Sequence, residues 1–181
     1  MFQLDTERLT IRSWAPADRA AFKEMMNDPE VTRYLRGGRP YAEDEVDEWF
    51  ARQERQLSEF GFCMGAVIEK SSGSLVGISG MQPLGTTPDL EVGWIFRRDR
   101  WGRGYASEAG AAAIAHVLGP LGRSRVVAII DVDNDPSKRV ASRLGMHYEG
   151  RYTGEQLGHR KPEIVVDLFY RTRHDAAELK S

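Results

Sequence analysis

The stretch DRWGRGYASEA, from Asp99 to Ala109, joins an apolar segment to an alanine-rich one. Alternating apolar residues predict a strand over Asp89–Phe96, and the alanine-rich segment predicts a helix over about Gly104–Leu118. A plain connection has no need of glycine at both 102 and 104, so the two glycines indicate that a partner approaches the backbone closely. Because N–H groups at a helix N-terminus lack partners within the helix and attract anions, the stretch predicts a cradle for a phosphate or pyrophosphate.

The remaining elements predict a mixed α/β sheet. One strand precedes two or three helices, three strands follow, and a helix, a strand, a helix and two strands complete the order. This is not the strict strand–helix alternation of a doubly wound fold. The predicted strands cover residues 8–13, 61–69, 74–82, 89–96, 125–131, 146–152 and 163–171. The predicted helices cover about 16–26, 42–60, 104–118 and 135–145, with a short one that begins near 27–30.

Glu91 lies in the middle of the apolar strand Asp89–Phe96. Alternation places Glu91, Gly93 and Ile95 on one face of this strand and the larger apolar residues on the other. Gly93 indicates a bulge or a close backbone approach. A carboxylate in such a strand is either paired with a cation or held there for chemistry, and desolvation raises its pKa toward the range of a general base. Glu91 is therefore a candidate general base, with a structural ion pair as the alternative.

A second group of polar residues follows the buried strand 125–131. The segment NDPSKRVASRLG begins at Asn134, and Asp135 followed by proline is typical of a helix start, with Gly145 at the helix end. Ligands of such sheets bind near the C-terminal ends of the strands. Asn134 and Ser137 are therefore candidates for ligand binding.

The composition narrows the class of protein. The 181 residues carry a formal net charge of −2, which gives no argument for binding to nucleic acid or to a membrane surface. The N-terminal segment has early charges and no apolar core, and no apolar run is long enough to span a membrane, so we expect a cytoplasmic protein. The single cysteine, Cys63, fits a small core residue, and the histidines lack metal-ligand spacing, so we expect no metal site.

Four segments, taken in order, carry a resemblance to a known family. VGWIFRRDRWGRGYASEA (92–109) and NDPSKRVASRLGM (134–146) resemble motif A and the following segment of the GNAT superfamily of acetyl-CoA-dependent N-acyltransferases. ERLTIRSWAPAD (7–18) and VTRYL (31–35) resemble the branch that contains the ribosomal-protein N-terminal acetyltransferases. The resemblance implies one α/β domain over residues 1–181. It also implies a mostly antiparallel, seven-stranded sheet with flanking helices, splayed between strands 4 and 5.

The resemblance also implies which residues hold acetyl-CoA and which carry the chemistry. Backbone N–H groups of the glycine loop are implied to hold the pyrophosphate, and the gap between the splayed strands to hold the pantetheine arm. Glu91 matches the position of the general base. Ser137 is a candidate replacement for the general acid, with Ser142, a water molecule or no acid as the alternatives. Tyr34 and Trp49, together with Glu91 and the loop TGEQLGH, are candidates for contact with the amine acceptor. The residues assigned to CoA binding are Ile95, Phe96, Arg98, Arg103, Gly104, Tyr105, Ala106, Ser107, Asn134 and Ser137.

The chain departs from the family pattern at the general acid. Many members carry a tyrosine that protonates the leaving thiolate, and the matching position is Ala141 here. The predicted function is transfer of an acetyl group from acetyl-CoA to a primary amine by direct attack in a ternary complex. The amine belongs either to a protein N-terminus or to a small molecule, and a homodimer is an open alternative to a monomer. The alternative function is a CoA-binding sensor or scaffold that does not catalyse.

Overall fold

The structure, a computed structural model, describes residues 2–175 of the chain, which form eight strands and five α-helices. The strands are β1 (Gln3–Asp5), β2 (Leu9–Arg12), β3 (Met64–Glu69), β4 (Leu75–Pro83), β5 (Leu90–Phe96), β6 (Arg125–Asp131), β7 (His147–Thr153) and β8 (Val165–Thr172). The helices are α1 (Asp18–Met26), α2 (Pro29–Arg36), α3 (Glu43–Phe60), α4 (Tyr105–Leu118) and α5 (Asp135–Arg143), with a short 3-10 helix at Arg98–Arg100.

The strands form one mixed sheet in the order β1-β2-β3-β4-β5-β6-β8-β7. Neighbouring strands are antiparallel except for β5 and β6, which are parallel. Parallel neighbours need a crossover connection, and α4 supplies it. β8 lies between β6 and β7, so the antiparallel pairing predicted for the last two strands is confirmed. The predicted mixed, mostly antiparallel α/β fold is confirmed as well.

The sheet has eight strands where the sequence predicts seven. The additional strand is β1, in which Gln3 pairs with Arg12 and Asp5 with Thr10. Three residues are too few to show an alternation of apolar and polar side chains, so only the pairing with β2 defines this strand. The single domain predicted over residues 1–181 stays a prediction, and residues 1 and 176–181 lie outside the described residues.

The sheet opens between β5 and β6, the strands that the sequence numbers as 4 and 5. β5 pairs with β4 from Leu90 to Phe96, whereas β5 and β6 share one pairing position, Glu91 with Val127. Beyond this position the two strands diverge and leave the edges of both without a strand partner. The predicted splay is therefore confirmed, and Glu91 lies where the gap begins.

Two apolar clusters cover the two faces of the sheet. Leu90, Val92 and Phe96 pack in the cluster that includes α4, whereas Ile95 packs against the cluster formed with α1 and α3. This confirms the two faces predicted for the strand. At Gly93 an added Cβ would lie 2.9 Å from Cε of Met64, the far end of a flexible side chain that would have to shift. The pairing of β4 with β5 is regular there, so Gly93 allows close packing against Met64 and does not mark a bulge.

The N-terminal end of α4 is fixed to the first strands of the sheet. Glu108 accepts hydrogen bonds from Thr6 Oγ1 at 2.6 Å, from Arg8 N at 2.8 Å and from Arg8 Nε at 2.7 Å. Burial alone would raise the pKa of Glu108, but these hydrogen bonds outweigh it and lower that pKa. The Tyr105 hydroxyl donates to Glu69. These contacts hold the glycine loop that precedes the helix in a defined position.

None of the helices within residues 2–175 is long and apolar enough to cross a membrane. Over the same residues, no group of three histidine, cysteine or acidic side chains is arranged to hold a metal ion. Cys63 is buried, and burial raises the pKa of its thiol to about 11. A thiol with so high a pKa is inert at neutral pH, which agrees with the core position predicted for Cys63.

Candidate active site

The glycine loop before α4 has the backbone geometry of an anion cradle. Gly102 and Gly104 have φ of +74° and +80°, a region that favours glycine. Glu108 N donates to Gly104 O at 3.0 Å, so the N–H groups of the three residues before Glu108 are left to an external acceptor. The space over Gly104 is open, because an added Cβ would meet only Nη2 of Arg8 at 3.5 Å. The loop therefore has the donors and the free volume that a pyrophosphate requires.

Arg8 brings a positive charge to this loop that the sequence does not predict. Its Nη1 donates to the carbonyl of Arg103 at 2.9 Å, and its guanidinium lies 4.6 Å from the ring centre of Tyr105. Arg98, which was assigned to CoA, lies elsewhere: it is exposed and lines a separate surface depression with Glu24 and Asp28. Of the two arginines assigned from the sequence, the structure brings only Arg103 to the loop.

The backbone of β5 directs donors into the gap. Arg97 N donates to Val76 O at 2.9 Å and Gly93 O accepts from Ser79 Oγ at 2.8 Å, so both residues turn their backbone groups toward β4. Successive residues of a strand turn these groups to opposite sides. The backbone groups of Val92, Trp94 and Phe96 therefore face β6. The N–H group of Val92 is used in the one pairing position of the two strands, Glu91 with Val127, so Trp94 is the first residue whose backbone groups a ligand can reach in the gap.

Pairing of a ligand with the end of β5 differs in detail from the prediction. By the same alternation the backbone of Ile95 faces β4, while its side chain lines the cavity described below. The backbone of Phe96 faces the gap, but its carbonyl already accepts a hydrogen bond of 2.8 Å from Nε1 of Trp101. The N–H groups of Trp94 and Phe96, and not those of Ile95, are the donors that the strand offers here.

A cavity of about 230 Å³ lies where the gap meets α3 and the loop between β7 and β8. It brings together six predicted site residues from distant parts of the chain: Tyr34, Trp49, Glu91, Ile95, Asn134 and Ser137. Trp49 forms a rigid part of the wall, since its ring lies 5.0 Å from Trp14 and 4.6 Å from Phe22. Tyr34 contributes a half-buried side chain from α2.

Glu91 has the environment of a general base. Its Oε2 accepts a hydrogen bond of 3.1 Å from Nε2 of Gln82, the residue opposite it on β4. Burial raises the pKa of Glu91 to about 7, although the hydrogen bond from Gln82 and the positive charge of Arg160 act in the opposite direction. No cation within residues 2–175 forms an ion pair with Glu91 at 4.0 Å or less, which removes the structural ion pair considered from the sequence.

Ser137 and Asn134 are joined at the start of α5. Oδ1 of Asn134 accepts from Ser137 N at 3.1 Å, so Asn134, and not Asp135 as the sequence suggested, caps this helix. The Ser137 hydroxyl accepts a hydrogen bond of 2.9 Å from Nε1 of Trp94 across the gap. Because this bond occupies a lone pair and leaves the hydroxyl proton available, Ser137 can donate a hydrogen bond into the cavity. Ala141 is fully buried in the core and does not line the cavity.

Several residues that line the cavity are absent from the sequence prediction. Gln82, Arg52, Arg160 and Lys161 all contribute to its wall. Arg52 lies three residues after Trp49 on α3, so helical spacing was a usable signal for it. Arg160 and Lys161 directly follow the loop TGEQLGH, which the sequence did mark for contact with the acceptor. No pattern in the sequence indicates which strand residue faces Glu91, so Gln82 carried no signal.

Comparison with known proteins identifies the family. A family model described as an acetyltransferase (GNAT) domain matches residues 8–147. The uncharacterized protein YkkB of Bacillus subtilis is 31% identical over 149 residues, which are 81% of this chain and 86% of that protein. The chain therefore belongs to the GNAT acetyltransferase family, and its enzyme class is acyltransferase.

Solved structures agree with this assignment. An acetyltransferase from Agrobacterium tumefaciens superposes with a TM-score of 0.78 at 26% identity and covers 94% of each chain. RimL, a ribosomal alpha-N-protein acetyltransferase solved in complex with coenzyme A, superposes with a TM-score of 0.75 at 17% identity over 94% of this chain and 98% of that one. The predicted resemblance to this family is confirmed, and the enzyme is favoured over a scaffold without activity. The branch stays a prediction.

Proposed function

We propose that this enzyme transfers the acetyl group of acetyl-CoA to a primary amine that binds in the cavity beside Glu91. The observation that carries the proposal is the position of Glu91, a half-buried carboxylate with a pKa of about 7 at the point where the sheet opens. A base with this pKa is matched to removing a proton at neutral pH.

The glycine loop and the gap fit the two parts of CoA. Backbone N–H groups from Arg103 to Ser107 bind the pyrophosphate, with Arg8 beside them, and the N–H group of Phe96 pairs with the pantetheine arm. Asn134 and Ser137 line the gap on its other side. When bound, acetyl-CoA supplies the acetyl group as a thioester.

Glu91 makes the acceptor nucleophilic. A primary amine is mostly protonated at neutral pH, and Glu91 accepts that proton directly or through a water molecule. The amine nitrogen then attacks the thioester carbonyl carbon, so that a C–N bond forms and the C–S bond breaks without a covalent intermediate on the enzyme. The N–H group of Trp94 stabilises the negative charge that develops on the carbonyl oxygen.

Ser137 is the proposed proton relay to the leaving thiolate in place of the missing tyrosine. Its hydroxyl donates a proton to the sulfur and takes up the second proton that the nitrogen releases once the C–N bond has formed. We expect Ser137→Ala to lower kcat by about 10- to 100-fold, less than a full loss because a CoA thiolate leaves readily. Ser142→Ala is the matched control, since Ser142 is exposed on the same helix. CoA affinity, measured by calorimetry, should stay within about twofold in both variants if only the proton donor is lost. An unchanged kcat in Ser137→Ala would indicate that water, and not Ser137, protonates the leaving thiolate.

The proposed function is tested by thiol release from acetyl-CoA. The acceptors are a panel of small primary amines and N-terminal peptides, and the acetylated product is identified by mass spectrometry. We expect thiol release that depends on the acceptor and yields one acetylated amine per thiol. CoA binding without transfer to any amine of the panel would contradict the proposal and favour the non-catalytic module.

A further inference from the structure

The cavity is lined by side chains of opposite charge. Glu91 and Asp131 line it from β5 and β6, while Arg52 and Lys161 line it from α3 and from the loop after β7. Arg160, an exposed residue, joins these two cations in the wall. The wall formed by α3 and this loop is therefore cationic, although the enzyme acts on amines that are themselves cations in solution.

Arg160 is close enough to influence the other two cations. Arg52 is partly buried, and this burial together with the charge of Arg160 lowers its pKa to about 10. Burial and the charge of Arg160 likewise lower the pKa of Lys161. Like charges gathered in a partly desolvated wall are unfavourable until an anion binds between them.

The protein does not supply that anion itself. Arg36 pairs with Glu45 at 2.6 Å and Lys138 with Asp167 at 2.7 Å, as arginine and lysine beside a protein interior ordinarily do. In contrast, no carboxylate of residues 2–175 lies within 4.0 Å of the cationic nitrogens of Arg52, Arg160 or Lys161. The charge is thus left for a ligand, and an arginine fork suits a carboxylate or a phosphate.

We propose that the acceptor is a primary amine that also carries an anionic group, a carboxylate or a phosphate, bound by Arg52, Arg160 and Lys161. This inference rests on the proposed acetyl transfer, because it takes the amine end of the acceptor to lie at Glu91. Arg160 lies near both Glu91 and Arg52, since its charge acts on the pKa of each. A polyamine or another polycation is disfavoured, because its second positive charge meets the cationic wall.

Matched acceptors separate the anion from the amine. β-Alanine is compared with β-alaninamide, and phosphoethanolamine with ethanolamine, so that each pair differs mainly in the anionic group. Binding is measured by calorimetry on the full chain saturated with desulfo-CoA, which cannot react. We expect the anionic member of one pair to bind at least about tenfold more tightly than its neutral partner. The pair that shows this difference identifies the anion as carboxylate or phosphate.

Variants assign the preference to the cationic wall. Arg52→Gln and, separately, Arg160→Gln should lower the affinity for the anionic amine by about tenfold and leave the neutral partner within about twofold. Arg55→Gln is the control, because Arg55 is an exposed arginine on α3 that does not line the cavity. Retention of the preference in both test variants, or equal binding of anionic and neutral amines by the wild type, would overturn the inference.

The binding experiment does not depend on turnover. An anion preference without acetyl transfer would leave the cationic wall as an anion site and remove the proposed function. Acetyl transfer to amines without an anion preference would keep the function and remove the inference. The two failures are therefore distinguishable.

Discussion

Glu91→Gln is expected to lower kcat by about 100- to 10,000-fold while CoA affinity stays within about twofold. The amide keeps the size of the side chain and can still bond to Gln82, but it cannot accept the proton of the acceptor ammonium. Glu54→Gln is the matched control, because Glu54 is an exposed glutamate on α3. The measurement is thiol release at saturating acetyl-CoA, with CoA binding by calorimetry.

The pH profile of the wild type and of Glu91→Gln tests whether Glu91 is the base, independently of how large the loss of kcat is. Glu91 acts as a base only when ionised, and its pKa is about 7, so kcat/KM of the wild type should rise with pH and flatten above about 7. Ionisation of the acceptor amine adds its own rise at higher pH, which both proteins share. The limb near pH 7 should vanish in Glu91→Gln. A variant that retains this limb, or a kcat equal to that of the wild type, would show that another group is the base.

Gly104→Val is expected to weaken CoA binding by about 10- to 100-fold. A valine side chain fills the open space over the loop and keeps the pyrophosphate from the N–H groups of α4, each of which is a charge-assisted donor. Gly73→Val is the matched control, since Gly73 also has a positive φ, +67°, and open space, but lies in the turn between β3 and β4. The measurement is the Kd of CoA by calorimetry.

The two glycine variants share the strain of a branched residue at positive φ. Their thermal transitions should therefore fall by similar amounts, and only Gly104→Val should lose CoA affinity. An equal loss of CoA affinity in both variants would show that lower stability of the fold, and not a blocked pyrophosphate site, weakens CoA binding. Normal affinity in Gly104→Val would place the pyrophosphate elsewhere.

The sequence predicted those parts of the molecule that local patterns determine. The apolar alternation around Glu91 located β5 and its two faces, and the glycine loop located the start of α4. These predictions hold because side-chain alternation and helix capping depend on residues close together in the chain. The fold class followed from the order of such elements and from the resemblance of the motifs.

Contacts between distant segments were beyond the sequence. Arg8 is hydrogen-bonded to Arg103, 95 residues away in the chain, and Trp94 to Ser137, 43 residues away. No residue type in these two pairs is unusual at its position, so no local pattern indicates either contact. Arg98 illustrates the reverse error: it is adjacent in sequence to the glycine loop, but the 3-10 helix that contains it turns toward α1 and α2.

The single pairing of Glu91 with Val127 has a mechanical consequence for this enzyme. Glu91 is held by strands on both of its sides, because it pairs with Gln82 of β4 and with Val127 of β6. Phe96, at the far end of the same strand, pairs only with Gly77 of β4. The part of β5 that carries the carboxylate is therefore anchored more firmly than the part that borders the wide end of the gap.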